Sequence, residues 1–79
     1  MTRSEIFVTL NEIFRDVFDD DSIIVDETTT AADIDDWDSL THINLLASIE
    51  DEFGIRFQMK DVVSMKNVGE MADLIEEQI

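Results

Sequence analysis

Glycine and proline, the residues on which most tight turns depend, are nearly absent from this sequence, which contains two glycines and no proline. A strand-rich fold of this size would need several tight turns, whereas the interior of a helix disfavours both residues. With 79 residues, of which 44 % are hydrophobic, the chain has enough apolar side chains for one compact core. We therefore expect a single all-α domain spanning residues 1–79.

Three segments have the apolar spacing of amphipathic helices. Their predicted bounds are about Ser4 to Phe18, Asp38 to Phe53 and Asn67 to Gln78. Between the last two, Met59 to Ser64 is long enough for one short helical turn. The predicted inner faces are Ile6, Leu10, Ile13 and Val17 in the first helix, Leu45, Leu46, Ile49 and Phe53 in the second, and Val68, Met71, Ala72, Ile75 and Ile79 in the third.

The predicted helix ends carry capping residues. Thr2 and Glu5 have the spacing of a capping box, which satisfies backbone N–H groups at a helix start. Asp38 and Asn67 stand at favourable N-cap positions of the second and third segments. Gly54 lies where a glycine commonly ends a helix. These residues fix the predicted bounds more firmly than periodicity alone.

The segment from Asp19 to Trp37 shows no helical pattern, which makes it long for a loop in so small a domain. Apolar side chains can pin this loop onto the helices: Ile23, Ile24, Val25, Ile34 and Trp37. The order of helix, long pinned loop, helix, short helix and helix predicts a compact four-helix bundle with three long helices and one short one.

Acidic side chains dominate the charge of the chain. Twenty Asp and Glu face five Lys and Arg, for a formal net charge of -15, and residues 16–55 contain thirteen of the acids and no base. Such a surface repels nucleic acid and anionic lipid and attracts basic protein surfaces. Charge that merely keeps a small protein in solution is the alternative explanation. Since no apolar run exceeds three residues, we expect a cytoplasmic monomer without a membrane span.

The sequence argues against a dedicated metal site. It contains no cysteine and one histidine, which excludes thiolate sites and all-histidine sites. A calcium loop of the EF-hand type needs oxygen ligands at alternate positions up to the fifth, followed by a glycine. Loops that begin at Asp19 or Asp33 fail this requirement, because Ile23 and Trp37 occupy their fifth positions. Loose binding of cations to the acidic face is all that we expect.

Ser39 and His42, with the nearby aspartates, contain the groups of a hydrolase triad. Because so small a bundle offers neither an oxyanion hole nor a pocket, we expect no catalytic residue, and we expect His42 to be a polar surface side chain. A serine at a helix start is most simply a capping residue. However, Asp38 already supplies the cap, and Leu40 and Ile43 place apolar side chains on the outward flank. An exposed hydroxyl beside apolar residues on an acidic surface indicates a place where another protein docks.

The segment from Asp35 to Leu40, Asp-Asp-Trp-Asp-Ser-Leu, resembles the Asp-Ser-Leu core of acyl carrier proteins. The residues from Ile43 to Phe53 resemble the rest of their second helix with its acidic end, and the helix order, long first loop and net charge extend the resemblance to almost the whole chain. The resemblance implies that Ser39 receives 4′-phosphopantetheine from coenzyme A through a separate phosphopantetheinyl transferase. The chain would then carry acyl groups as thioesters on this arm and catalyse nothing itself.

The partners implied by the resemblance are the transferase and acyl-loading and acyl-processing enzymes with basic docking surfaces. We expect their docking surface on the outer flank of the second helix and the end of the loop. Leu40, Ile43 and Ala47 would supply apolar contact. Acidic side chains would steer the encounter, namely Asp36, Asp38, Glu50 and Asp51.

Three positions depart from the pattern of fatty-acid carriers. Thr41 and Asn44 stand where those carriers usually have acids, and a tryptophan such as Trp37 before Asp-Ser-Leu is more usual in specialised carriers. The resemblance therefore implies fatty-acid-like, polyketide or other specialised biosynthesis. The Gly-Gly-x-Ser pattern of peptidyl carriers is absent, although an aminoacyl cargo stays open. An unmodified acidic helical adaptor that uses the same face is the other alternative.

Overall fold

The computed structural model describes all 79 residues, Met1–Ile79, and contains four α-helices and no strand. The helices are α1 (Arg3–Val17), α2 (Ser39–Phe53), α3 (Met59–Ser64) and α4 (Val68–Gln78), and a 3₁₀ turn at Ala31–Asp33 interrupts the long loop. The predicted bundle of three long helices and one short helix is confirmed. None of the helices combines the length and apolar character needed to cross a membrane.

Capping residues explain where the helices begin and end. The hydroxyl of Thr2 accepts a hydrogen bond from the Glu5 backbone at 3.2 Å, and the Glu5 carboxylate accepts one from the Thr2 backbone at 2.8 Å. Asn67 caps α4 by accepting from the Glu70 backbone at 2.8 Å. Gly54 ends α2 with a φ of 67°, a left-handed conformation that glycine adopts without steric cost. The predicted caps are therefore confirmed.

The buried core draws on three helices, the loop and the α2–α3 connection. Its members are Ile6, Leu10 and Phe14 from α1, Val25 from the loop, Leu45, Leu46 and Ile49 from α2, Ile55, and Val68, Met71, Ala72 and Ile75 from α4. On α1 the buried face follows Phe14, while Ile13 and Val17 are only half-buried at its edge. The prediction that Ile79 packs inward is wrong: this residue lies beyond the end of α4 and is 51 % exposed.

Side chains of α1 hold the first part of the loop. The amide of Asn11 accepts from the Val25 backbone at 2.7 Å and donates to the Val25 carbonyl at 3.2 Å. Arg15 donates to the carbonyl of Ile23 at 2.7 Å. Ile24, which the sequence predicted to pin the loop, is 77 % exposed because both of its neighbours are turned toward α1. That prediction was wrong.

Backbone hydrogen bonds join the second part of the loop to the start of α4. Val68 N donates to the Thr29 carbonyl at 2.9 Å, and Gly69 N donates to the Glu27 carbonyl at 3.1 Å. Gly69 permits this approach, because a Cβ atom there would lie 2.7 Å from the Glu27 carbonyl oxygen. The loop is therefore fixed to α1 and to α4 before it reaches α2.

Arg3 closes the same region from the N-terminus. Its guanidinium donates to Glu27 at 2.6 Å, to Asp73 at 2.7 Å, to the Gly69 carbonyl at 3.1 Å, and also to Glu76. One basic side chain thereby offsets three acids from the loop and α4. The arrangement ties the loop at Glu27 to the N-terminus and to α4.

Candidate functional site

Ser39 is the first residue of α2 and is exposed to solvent. The cap in front of it is complete without its hydroxyl. Asp38 accepts from the Thr41 backbone N–H at 2.9 Å, while the Thr41 hydroxyl accepts from the Asp38 backbone N–H at 2.8 Å. The prediction that Asp38 is the cap is confirmed, which leaves the Ser39 hydroxyl available for chemistry.

Thr41 has a role that sequence reasoning missed. Besides its place in the cap, its hydroxyl donates to the Asp36 carbonyl at 2.8 Å and so holds the end of the loop against α2. Sequence reasoning assigned Thr41 no part in the cap, and the structure shows that its hydroxyl completes it. The available signal was its position three residues after the N-cap Asp38, where a capping-box partner stands.

The cap keeps Asp38 ionised. Hydrogen bonds from the Thr41 backbone, and then from the Thr41 hydroxyl, hold the pKa of the Asp38 carboxyl below its usual value. A negative charge at this position also interacts favourably with the N-terminal end of the α2 dipole. Ser39 therefore directly follows the carboxylate that caps the first turn of α2.

A surface cleft of about 350 Å³ opens beside Ser39. Its walls come from the end of the loop, the start of α2, the α3–α4 connection and α4; they include Trp37, His42, Met65, Lys66 and Met71. The expectation that so small a bundle has no pocket here is therefore corrected. The loop supplies part of the wall of the cleft through Ala31 and Trp37.

His42 forms one wall of this cleft. Its Nδ1 accepts a hydrogen bond from Trp37 Nε1 at 3.0 Å, and the two rings stack with centroids 5.8 Å apart. The Trp37 ring in turn packs edge-on against the core residue Phe14 at 5.3 Å. His42 is thus half-buried and structural, which corrects its prediction as a surface residue. With Nδ1 occupied by Trp37, nothing in this geometry pairs it with Ser39 as a general base.

Burial lowers the pKa of His42, and the backbone of Val62 in α3 acts in the opposite direction. The neutral ring is also the form that the Trp37 contact requires, because a protonated Nδ1 cannot accept a hydrogen bond. The wall of the cleft therefore depends on His42 remaining neutral.

The predicted docking residues lie mainly on the exposed face of α2. Leu40 is 70 % exposed and Ile43 is 63 % exposed, and the remaining exposed members are Asp36, Asp38, Ala47 and Asp51. Glu50 differs, since its carboxylate accepts from the Phe57 backbone at 2.8 Å and its side chain is only 21 % exposed. It secures the connection between α2 and α3.

Sequence reasoning missed Met59 and Val63 of α3, both more than three-quarters exposed, because so short a helix shows no clear periodicity.

The acidic loop holds no arrangement of three or more His, Asp or Glu side chains suited to a metal ion. Its carboxylates bond to neighbouring hydroxyl and amide groups instead. Asp20 accepts from Ser22, and Asp26 accepts from Thr28, contacts that lower the pKa of both aspartates. The loop acids therefore fold the loop on itself by local turns.

Comparisons with known proteins agree in sequence and in structure. Residues 8–75 match the family described as phosphopantetheine attachment site. The chain is 31 % identical over 81 residues to an acyl carrier protein of Petrotoga mobilis, in a match that covers all of this chain and 93 % of that protein. Its fold is similar to the solution NMR structure of a holo acyl carrier protein from Geobacter metallireducens. That similarity has a TM-score of 0.86 and 47 % identity, and it covers 91 % of this chain and 83 % of the other.

Proposed function

This chain belongs to the acyl carrier protein family, and we propose that it carries acyl intermediates on a 4′-phosphopantetheine arm joined to Ser39. It is a carrier and not an enzyme. When attached, the arm supplies a terminal thiol that holds the cargo as a thioester. The observation that carries the proposal is the Ser39 hydroxyl, which is exposed, takes no part in the α2 cap and borders a cleft.

The residues around Ser39 suit a phosphodiester at that oxygen. Since Asp38 and Thr41 complete the cap between themselves, modification of Ser39 leaves their hydrogen bonds intact. The N-terminal end of the α2 dipole also favours negative charge at this end of the helix. The phosphate is repelled by the carboxylates of Asp35, Asp36 and Asp38. Favourable contacts at the start of α2 must offset this repulsion.

We further propose that partner enzymes dock on the exposed face of α2. Leu40, Ile43 and Ala47 form its apolar part. Asp36, Asp38 and Asp51 surround this part with negative charge, which suits basic surfaces on a phosphopantetheinyl transferase and on biosynthetic enzymes. Glu50 adds charge at the edge of this face, although its hydrogen bond to Phe57 restricts it. Residues 1–79 would act as one carrier domain.

For the pathway, we propose specialised biosynthesis, such as that of a polyketide, over central fatty-acid synthesis. Two side chains support this. Asn44 is exposed on α2 and leaves the docking face without an acid there, and Trp37 places a large aromatic ring in the cleft wall beside Ser39. Thr41 contributes less to this argument than its sequence position suggested, because its hydroxyl is occupied in the cap.

The test is the intact mass of the protein after incubation with a promiscuous phosphopantetheinyl transferase, magnesium and coenzyme A. Wild type should gain the mass of one phosphopantetheinyl group, and Ser39→Ala should gain none. Ser48→Ala, a change of the same kind within α2, should be modified like wild type. An unmodified wild type would instead favour an unmodified adaptor, and a modified Ser39→Ala protein would move the attachment to another residue.

A further inference from the structure

The five basic side chains are unevenly placed around the cleft beside Ser39. Arg3 is paired with acids of the loop and α4, Arg15 donates to the loop backbone, and Arg56 lies 4.0 Å from Glu50. Lys60 is exposed on α3 and does not line the cleft. Lys66 is the only Lys or Arg among the residues that line the cleft. In a protein of net charge -15, a lysine beside the proposed attachment site is a candidate partner for an anion bound there.

The backbone around Lys66 is firmly held, although it lies in the connection between α3 and α4. Lys66 N donates to the Glu70 carboxylate at 2.5 Å, and the next residue, Asn67, caps α4. Val68 N then donates to the Thr29 carbonyl of the loop at 2.9 Å. These contacts fix the point from which the Lys66 side chain starts.

The ammonium group of Lys66 has no acidic partner within the protein. All ion pairs within 4.0 Å involve Arg3 or Arg56. Glu70, the nearest candidate along the chain, uses its carboxylate to accept from the Lys66 backbone. Lys66, which is exposed and has no ion-pair partner, thus lines the same cleft as Ser39.

A phosphate on Ser39 would be stabilised by a positive charge nearby. It would add negative charge next to Asp36 and Asp38, on a surface with no base between residues 16 and 55. Repulsion of this kind drives a flexible arm away from the protein unless a positive charge offsets it. Because the chain supplies one cation at this cleft, the phosphate and Lys66 are complementary in charge and location.

We propose that Lys66 pairs with the phosphate of the phosphopantetheine arm and keeps the start of the arm in the cleft walled by Trp37 and His42. This inference rests on the proposed attachment at Ser39. Lys66 is a positioning residue, so its effect should appear in the holo protein and not in the apo protein.

The experiment compares wild type with Lys66→Gln, Lys66→Arg and the control Lys60→Gln, which removes the same charge from α3 outside the cleft. Intact mass first establishes complete conversion of each protein to the holo form. The melting temperature of each is then measured in both forms at low salt. For each protein we compare the melting temperature of the holo form with that of the apo form. In Lys66→Gln this holo-minus-apo difference should be about 1–5 °C lower than in wild type or Lys60→Gln.

Two further readouts sharpen the comparison. Lys66→Arg should retain the wild-type difference between holo and apo forms, and the loss in Lys66→Gln should shrink in about 1 M salt, where charges are screened within about 3 Å. The ³¹P resonance of the arm should shift in Lys66→Gln but not in Lys60→Gln. Equal behaviour of all four fully converted proteins would overturn the role of Lys66 alone. Failure of wild type to accept the arm would overturn the attachment itself and this inference with it.

Discussion

His42 connects the loop, α2 and α3 at the cleft. Its Nδ1 accepts from Trp37 at the end of the loop, the ring is carried by α2, and the backbone of Val62 in α3 approaches it from another side. Trp37 continues this series of contacts into the core through Phe14. A single side chain therefore ties the elements around Ser39 to one another, and its protonation state matters for the shape of the cleft.

Folding stability should consequently fall as His42 becomes protonated. Burial lowers the pKa of His42 below the value of 6.5 for a free side chain, so the unfolded chain binds a proton at a higher pH than the folded chain. The contribution of neutral His42 is thus complete above about pH 6.5 and is lost as the pH falls below it. Urea unfolding of wild type and His42→Gln between about pH 7.5 and 5 measures this, because glutamine can accept from Trp37 but does not titrate.

The difference in unfolding free energy between these two proteins should narrow as the pH decreases. Protonation of the many carboxylates affects both proteins alike and cancels in the difference. A difference that stays constant with pH would show that His42 acts by packing alone.

At the scale of elements, the long loop decides where the site lies. It is tied to α1 through Asn11 and to α4 through Thr29 and Glu27, and its last residues are held against α2 by Thr41. The contacts with α1 and α4 join residues that are 14 or more positions apart in the sequence. The loop therefore gains its order from the helices that it crosses, and in return it forms a wall of the cleft.

The contact of the loop with α4 gives a prediction with an unusual sign. Replacing a glycine in a helix by alanine normally stabilises the protein by up to about 1 kcal/mol. Gly69→Ala should instead destabilise it by about 1–3 kcal/mol, because the new Cβ would lie 2.7 Å from the Glu27 carbonyl oxygen. Urea unfolding measures the change in stability. In the variant, the backbone amide at position 69 should exchange its hydrogen faster than in wild type. A stabilised Gly69→Ala protein would mean that the loop does not pack so closely on α4.

The sequence allowed the helices to be predicted far better than the loop and the cleft. Apolar spacing and the caps at Thr2, Asp38 and Asn67 placed the helix bounds within one residue, because these signals are local. Ile24 was misplaced because the direction of a loop side chain depends on contacts distant in sequence. The partnership of Trp37 with His42, five residues apart across the start of α2, could not be inferred without the course of the loop.

At the scale of the whole molecule, Lys and Arg are unevenly distributed along the chain. Bases are absent from residues 16–55, which include the loop and all of α2, whereas Lys60 and Lys66 follow on α3 and in the connection to α4. Arg3, near the N-terminus, pairs with Glu27 of the loop and Asp73 of α4. The exposed face of α2 is thus both apolar and surrounded by acids, a combination suited to basic partners.

This charge distribution predicts electrostatic docking. The rate of modification by a phosphopantetheinyl transferase should fall as salt is raised, and Asp36→Lys should slow it severalfold at low salt, because rim charges act mainly on association. Glu12→Lys makes the same charge change at an exposed position of α1, outside the proposed docking face, and should have a smaller effect. A rate that is independent of salt, or equal slowing by both variants, would argue against docking on α2.

The central claim, that Ser39 carries the arm, is tested most directly by fragmentation mass spectrometry of the protein produced together with a phosphopantetheinyl transferase. Trypsin would leave Ser39 in one long peptide, because residues 16–55 contain no Lys or Arg. A protease that cleaves at acidic residues can shorten this peptide at the surrounding aspartates. We expect the phosphopantetheinyl mass on this peptide, localised to Ser39. An unmodified Ser39 peptide, or the same mass on another residue, would contradict it.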